Sequence, residues 1–402
     1  MPRHFLLLIL CILAYICGGT ISMLMSVYLP SVVRDLLGNA DEATMSRVGP
    51  YLNAAYLAGM TIGGLVVGYL SDRFGRVKML AVSAVVCGVF TLAAVGAHDW
   101  IWVAAARAMA GIGVSGILLT CAVLVSERWP ADGRAVAQGI LGVAFPVGIV
   151  LSGGLNVLFS DWREAFSVGL APLVVAVLVL ILLRETKKEA GETESRSPLK
   201  VLLQPPNRLK LIVGAVVYGF VLVGLWAIFS WMPTWVDSLI GGGEGAGQMR
   251  GITMMMLGMG GMAGTGVSGF LVNQLGVRRT LLSNFIGTLF VCMLLFLSNN
   301  SFSPLVLVET AVLALFFGIN QGALTVYVTE LFPTEVRATG TGFCFNIGRV
   351  FTTSAVFFVG SLVAALGGYA NAMLVFSGAF VIAWLVLFFD NCNPELRSGD
   401  IQ

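Results

Sequence analysis

Twelve long apolar segments constrain the fold of this chain more than any other feature of its sequence. They span approximately residues 5–29, 48–70, 78–97, 101–126, 135–157, 165–183, 209–231, 252–272, 280–298, 304–328, 339–366 and 369–389. A helix of about 20 apolar residues crosses the hydrocarbon layer of a bilayer, and it satisfies its own backbone hydrogen bonds there. The sequence therefore predicts an all-α integral membrane protein with twelve transmembrane helices.

The composition excludes several classes of function. Of the 402 residues, 57% are hydrophobic and 11% are charged, whereas a soluble domain carries about 25% charged residues. The formal net charge of +2 leaves no basic excess for nucleic acid. Two histidines and seven scattered cysteines offer no metal site, and the sequence has no phosphate-binding loop of the GxxxxGK[ST] type. We expect neither a cofactor nor an enzyme activity, because no catalytic constellation is visible.

A charged, proline-containing stretch at 184–208 interrupts the apolar pattern at its middle. It predicts a six-helix half at 1–183, a cytoplasmic linker loop at 184–208 and a second six-helix half at 209–402. With both termini in the cytoplasm, seventeen of the 23 Lys and Arg residues fall on the cytoplasmic side and four on the outer side. This asymmetry follows the positive-inside rule. It predicts a multi-pass protein of the plasma or inner membrane with both termini cytoplasmic.

Two motifs recur in the second half at nearly the same distance. GYLSDRFGRVK, from Gly68 to Lys78, returns as GFLVNQLGVRR, from Gly269 to Arg279, with an offset of 201. ERWPADGRA, from Glu127 to Ala135, returns as ELFPTEVRA, from Glu330 to Ala338, with an offset of 203. Two repeats at nearly one offset indicate a duplicated half, and parallel repeats of this kind place a substrate site between the halves near mid-membrane.

The same motifs resemble the signatures of the major facilitator superfamily, and the resemblance covers the whole chain. The first loop matches the pattern G-x-x-x-D-R-x-G-R-[KR], except that Lys78 follows one extra residue, Val77. Arg107 begins an R-x-x-x-G-x-G pattern, and the second motif pair reads E-x-x-P-x-x-x-R. These motifs most resemble those of the sugar-porter, aromatic-acid:proton symporter and metabolite:proton symporter branches. The resemblance implies two pseudo-symmetric six-helix halves and secondary active transport of a small organic solute by alternating access.

The resemblance, together with Arg349 inside the eleventh apolar segment, favours an organic anion that is carried with protons. We expect the carrier to work as a monomer. A sugar or other neutral-solute porter, or a multidrug exporter, stays open as an alternative, and so does a membrane sensor that has lost transport. Ile21 marks a departure from the acid symporters, which carry an Asp about nine residues before the proline that here is Pro30. The coupling role of that Asp is therefore not transferred to this chain.

The resemblance also implies gating residues at the cytoplasmic ends of the helices. Asp72 is expected to meet the amino terminus of helix eleven and the basic Arg134 of the loop between helices four and five, which would latch the halves together. Arg107 is expected to gate or to tie helices together. The predicted gating set is Asp72, Arg73, Gly75, Arg76, Arg107, Glu127, Arg134, Glu330 and Arg337.

Arg349 and Glu309 are the charged candidates for substrate binding and proton coupling. An Arg near the bilayer centre is expensive unless it is paired or lines a cavity. We expect Arg349 to bind an anion, and the alternative is a structural role in which it pairs with Glu309 or backbone carbonyls. Glu309 lies inside the tenth segment, and we expect it to carry the proton and to pair with Arg349 in the empty carrier. Uncharged polar and aromatic residues at mid-span complete the candidate substrate site: Tyr15, Asn53, Tyr56, Tyr218, Trp226, Asn320, Gln321 and Asn346. Each of them could instead hold neighbouring helices together.

Overall fold

In the computed structural model, which describes residues 3–38, 41–185, 201–205, 207–241, 245–333 and 336–390, the chain is almost entirely helical. Within these residues, twelve helices are long and apolar enough to cross a membrane. The helices are α1 (Arg3–Leu37), α2 (Glu42–Phe74), α3 (Arg76–Ala93), α4 (Trp100–Arg128), α5 (Arg134–Leu158), α6 (Leu170–Leu182), α7 (Asn207–Ile240), α8 (Ala246–Leu275), α9 (Val277–Ser298), α10 (Pro304–Glu330), α11 (Arg337–Phe357) and α12 (Tyr369–Phe389). The predicted fold class is confirmed.

Two of the twelve spans are not single regular helices. The sixth begins with a short helix, Trp162–Phe166, and a 3-10 turn, Ser167–Gly169, before α6. The eleventh continues beyond α11 as a second helix, Val359–Leu366. Most of the predicted linker at 184–208 lies outside the described residues, so its conformation stays a prediction.

The duplicated loop adopts the same backbone in both copies. Gly75 joins α2 to α3 with φ of 101°, and Gly276 joins α8 to α9 with φ of 79°. The two glycines are separated by the offset of the sequence repeat, 201 residues. A side chain is strained at positive φ, whereas glycine adopts it freely, so this tight turn between two antiparallel spans requires glycine in each copy.

One stripe of small residues joins the first six helices to the last six. Along α5, Pro146, Val150 and Gly153 recur at the three- and four-residue spacing of one helix face. An ideal Cβ on Gly258 of α8 would lie 2.6 Å from a methyl of Val150, and a Cβ on Gly251 would lie 2.7 Å from the carbonyl oxygen of Gly153. The two helix groups are therefore packed backbone to backbone over the half of α5 that leads to its carboxyl end.

The same stripe is open at the other end of the two helices. Gly139 and Gly142 continue the α5 face toward its amino end, and Gly269 continues the α8 face toward its carboxyl end. Among the described residues, nothing lies within 4 Å of a Cβ built on any of these three glycines. In the predicted topology these ends are cytoplasmic. The helix groups thus touch near the carboxyl end of α5 and are open near its amino end, which the predicted topology places in the cytoplasm.

Candidate substrate site and gates

Arg349 of α11 reaches across the boundary between the two helix groups. It lies twelve residues after the first residue of α11, so a rise of 1.5 Å per residue places it about 18 Å along the helix, roughly half of a bilayer core of about 30 Å. Its Nη1 donates to the hydroxyl of Ser115 on α4 at 3.2 Å, and the residue is partly exposed. In the part of the chain that the structure describes, no carboxylate forms an ion pair with this guanidinium.

A missing side chain on α2 allows Arg349 to occupy this position. An ideal Cβ on Gly64 would lie 2.8 Å from Nη1 of Arg349 and 2.8 Å from Oδ1 of Asn346. Asn346 donates from Nδ2 to the carbonyl of Gly342 one turn earlier in α11. Its Oδ1 is buried without a hydrogen-bond partner in the described structure, which leaves an acceptor beside the guanidinium.

Aromatic side chains from both helix groups surround this position. Tyr15 of α1 and Tyr218 of α7 lie within electrostatic range of the Arg349 charge. Tyr15 donates its hydroxyl to the carbonyl of Leu118 at 2.9 Å. Tyr218 packs on α11 next to Arg349, since a Cβ on Gly348 would lie 2.5 Å from its Cδ1, and its hydroxyl is near Gln321 of α10. Of the predicted site residues, Asn346, Tyr15, Tyr56 and Tyr218 thus lie near the Arg349 guanidinium, and Gln321 lies next to Tyr218.

The remaining predicted site residues are placed differently. Asn320 is fully buried and faces α9: Nδ2 of Asn284 donates to its Oδ1 at 2.6 Å, and its own Nδ2 donates to Thr288 at 3.0 Å. The expectation that Asn320 faces the substrate is therefore not met in this structure, because adjacent residues on a helix point about 100° apart and Gln321 takes the other direction. Asn53 is buried with an unpartnered Nδ2 among the described residues, and Trp226 is a partly buried member of the apolar core.

Arg107 of α4 is enclosed within the first six helices. It is 3% exposed and donates from Nη1 to the carbonyl of Ile21 at 2.7 Å and from Nη2 to that of Ser22 at 3.2 Å. Its guanidinium carbon lies 4.1 Å from the ring centroid of Tyr56, and the Tyr56 hydroxyl lies 2.5 Å from that of Ser22. Arg107 and Tyr56 thus tie α4 and α2 to α1, which is the helix-packing interpretation rather than a cavity-lining one.

Glu309 of α10 is also buried, at 8% exposure. Its Oε2 accepts a hydrogen bond of 2.7 Å from Nδ2 of Asn299, which follows α9. The expected ion pair between Glu309 and Arg349 is not formed among the described residues. The physical reason is their direction: Glu309 turns toward the end of α9, whereas Arg349 turns across the boundary toward α4.

The first copy of the duplicated loop carries an ionic network. Asp72 pairs with Arg76 one turn later at 2.5 Å, and Arg76 reaches Glu127 at 3.4 Å. Glu185 caps the amino terminus of α3 by accepting from the backbone amides of Val77 at 3.2 Å and Lys78 at 3.1 Å. This carboxylate at a helix amino terminus was missed from the sequence, where Glu185 read as one more charge of the linker.

The expected contact between Asp72 and Arg134 is not present among the described residues. Asp72 has 57% of its side chain exposed, and Arg134 donates to the carbonyl of Trp129 at 3.3 Å instead. Arg73 is exposed beside Phe74. The two side chains have other partners: Asp72 is paired with Arg76 of the following helix, and Arg134 turns back to its own loop.

The second copies of the two repeated motifs make different contacts. Glu330 feels the charge of Arg337, as expected for the matching cluster, and Arg337 donates to the carbonyl of Phe332 at 3.3 Å. Arg278 donates from Nη2 to the carbonyls of Leu387 at 3.0 Å and Phe388 at 2.8 Å. It thereby satisfies carbonyls at the carboxyl end of α12, where a cation is favourable.

One buried ion pair was missed from the sequence. Arg250 of α8 pairs with Asp237 of α7 at 2.5 Å, with 8% and 15% of the two side chains exposed. Its Nη2 also donates to the hydroxyl of Ser31 on α1 at 3.1 Å. The positive-inside count placed Arg250 in an outer loop, but α8 begins at Ala246 and takes Arg250 into the bundle. The spacing of Asp237 and Arg250 across a short loop was the available signal.

Comparison with known proteins identifies a family and its relatives. The family model described as Major Facilitator Superfamily matches residues 10–354. The cis,cis-muconate transport protein of Acinetobacter baylyi is 28% identical over 389 residues, which are 93% of this chain and 91% of that protein. The 3-(3-hydroxy-phenyl)propionate transporter of Escherichia coli is 28% identical over 341 residues, 84% of this chain and 83% of that protein.

Solved structures with the same fold cover nearly the whole chain. A xylose transporter from Escherichia coli in an inward-open conformation superposes with a TM-score of 0.77, at 15% identity and 96% coverage of both chains. A D-xylose-proton symporter gives a TM-score of 0.75 at 18% identity, with 99% of both chains covered. At these identities the likeness concerns the fold alone.

Proposed function

The chain belongs to the major facilitator superfamily, a family of multi-pass membrane transporters for small molecules, and we propose that the solute it carries is an organic anion taken up with protons. The observation that supports this most is Arg349. A cation near the bilayer centre costs at least about 2.5 kcal/mol, and here it faces the boundary between the helix groups with no carboxylate partner among the described residues. An anionic substrate supplies the missing charge.

The groups around Arg349 suit a carboxylate attached to an unsaturated or aromatic body. A guanidinium offers five N–H donors in a planar fork that matches a carboxylate, and Ser115 uses one of them. Tyr15 and Tyr218 present aromatic faces with polar tips, as ligand sites commonly do. The muconate and hydroxyphenylpropionate transporters that resemble this chain carry, by their names, solutes of this chemical kind.

Ligand-induced stabilisation of the purified protein tests the anion. We expect cis,cis-muconate and 3-(3-hydroxyphenyl)propionate, each at 100-fold its Kd, to stabilise the folded state by about 2.7 kcal/mol. The corresponding neutral amides should give no shift in unfolding temperature, and Arg349→Gln should lose the response to the acids. Stabilisation by D-xylose or by a hydrophobic cation that survives Arg349→Gln would instead favour the neutral-solute or multidrug alternative.

Proton coupling is assigned to Glu309. Its carboxyl is buried, and it accepts from the Asn299 amide, which can also act as an acceptor toward a protonated carboxyl. In proteoliposomes, Glu309→Gln should still exchange substrate across the membrane but should not accumulate it against its gradient when a pH difference is applied. Asn299→Ala serves as a control for local packing. Continued uphill accumulation by Glu309→Gln would move the coupling role to another group.

Alternating access would arise when the halves at 1–183 and 209–402 rock about the boundary between them. In this proposal the linker and both termini lie in the cytoplasm. The orientation rests on the distribution of Lys and Arg. Impermeant maleimide added to intact cells should label a cysteine introduced at the exposed His98 and should spare one at the exposed Asp132. The reverse labelling pattern would invert the topology.

Asp72 and its network are proposed to latch the halves when the cytoplasmic ends close. Asp72→Asn should insert normally and lower the transport rate severalfold, because a neutral amide binds the amino terminus of α11 and a basic partner more weakly. Uptake per amount of membrane protein measures the effect. Full activity would show that turnover does not need the latch.

A further inference from the structure

We propose that Arg250, held by Asp237 and hydrogen-bonded to Ser31, is the bolt that keeps the outer side of the transporter closed. Arg250 and Asp237 belong to α8 and α7, in the last six helices, whereas Ser31 belongs to α1, in the first six. This inference goes beyond the proposed substrate and coupling, since it concerns the opposite end of the boundary from the cytoplasmic loop motifs.

The position of the bolt fits this role. Gly251, the residue after Arg250, lies against Gly153 of α5 at the closed end of the interface. The bolt therefore sits where the helix groups touch and not where they part. A hydrogen bond that crosses between the groups at this end holds the structure with its cytoplasmic side open.

The charges are distributed so that the bolt can also be released. The carboxylate that neutralises Arg250 lies on the same helix group as Arg250, so separation of the groups breaks the bond to Ser31 but leaves the ion pair intact. Opening then exposes a paired cation and costs one hydrogen bond to a charged donor. Such a bond changes the ratio of the two states by about tenfold to a hundredfold, which is enough to bias the equilibrium and still permits turnover.

Two buried polar atoms at this place have no hydrogen-bond partner in the closed arrangement, which lowers the cost of opening it. Nε of Arg250 and Oδ1 of Asn156 are both buried without a partner in the described structure, and Oδ1 of Asn156 lies 3.2 Å from a Cβ built on Gly251. Buried polar groups are nearly always hydrogen-bonded. Here the unpaired atoms lie on opposite sides of the boundary, and water can reach both when the outer side opens.

An introduced cysteine in the closed interface reports on the bolt without any substrate. Val150 lies against Gly258 of the other helix group, so Val150→Cys should react slowly with impermeant maleimide added outside intact cells. Background labelling is measured on the same protein without this substitution. In the Val150→Cys protein, Ser31→Ala should raise the labelling rate about tenfold, because it removes the bond between the groups and leaves the ion pair with Asp237 in place.

Three further variants make the experiment decisive. Ser31→Asp should lower the labelling rate below that of the parent, because it turns the bolt into an ionic contact. Ser152→Ala is the matched control, since the Ser152 hydroxyl donates to the carbonyl of Ile149 in the same helix. Arg163→Gln is the charge control, because Arg163 pairs with Asp35 inside the first six helices. The proposal is overturned if Ser31→Ala labels at the parent rate, if either control rises as much, or if Ser31→Asp accelerates labelling.

Discussion

Arg107 in α4 and Arg349 in α11 both lie inside apolar spans, and their side chains have opposite roles. Arg107 is 3% exposed and donates hydrogen bonds from two of its nitrogen atoms to the carbonyls of Ile21 and Ser22. Arg349 is partly exposed and has one bond, to the hydroxyl of Ser115 on the other helix group. A buried cation that holds backbone carbonyls of a neighbouring helix stabilises the bundle, whereas a partly exposed one with most of its donors unused is available to a ligand.

The largest expected effect is a loss of folding stability when Arg107 is replaced. Arg107→Met should lower the free energy of unfolding by about 3 kcal/mol, because two buried carbonyls lose their donors and the contact with the Tyr56 ring is lost. Thermal unfolding in detergent measures the loss. The affinity of the surviving folded protein for an organic acid should equal that of the parent, and a selective loss of affinity would place Arg107 in the substrate site.

Arg349 should give the reverse pattern. Arg349→Lys should weaken binding of the organic acid about tenfold to a hundredfold, because a point charge does not replace the planar fork. The unfolding temperature without ligand should stay that of the parent, since one bond to Ser115 is lost. Calorimetric titration and thermal unfolding of the same preparation separate the two effects. A large drop in stability with unchanged affinity would make Arg349 structural.

The contrast can be sharpened within one helix, at the neighbours Asn320 and Gln321. Asn320→Ala should destabilise the protein by about 2 kcal/mol, because it leaves the buried amide of Asn284 and hydroxyl of Thr288 short of a partner. Gln321→Ala should leave stability unchanged and weaken acid binding severalfold, through the loss of the contact that orients Tyr218. If the two variants behaved alike, the division of α10 into a packing face and a substrate face would be wrong.

The smallest effect is expected at Gly64. The methyl of Gly64→Ala would lie 2.8 Å from both the Arg349 guanidinium and the Asn346 amide oxygen, and flexible side-chain ends can move aside at little cost. We expect an unchanged unfolding temperature and a twofold to fivefold loss of affinity for the acid (about 0.4 to 1 kcal/mol). Gly68→Ala is the matched control, since the nearest atom to a Cβ there is a Leu119 methyl at 3.3 Å.

The sequence by itself determined the fold of this protein. Spans of about 20 apolar residues have no alternative to helices in lipid, and the repeated loop with Gly75 and Gly276 reveals the duplication from sequence alone. It also marked Arg349, because a charge in the middle of an apolar segment is conspicuous and expensive. These features are local in the chain, so a pattern of residue types is enough to read them.

Tertiary structure alone decided which way each polar side chain turns and which pairs meet. Asn320 and Gln321 are adjacent in sequence, yet one binds α9 and the other Tyr218. Glu309 turned to Asn299 and not to Arg349. Contacts of this kind depend on the rotation of each helix about its own axis and on which neighbour it packs against. That rotation is set by close packing of small residues across many helices, and the hydropathy of any one segment carries no record of it.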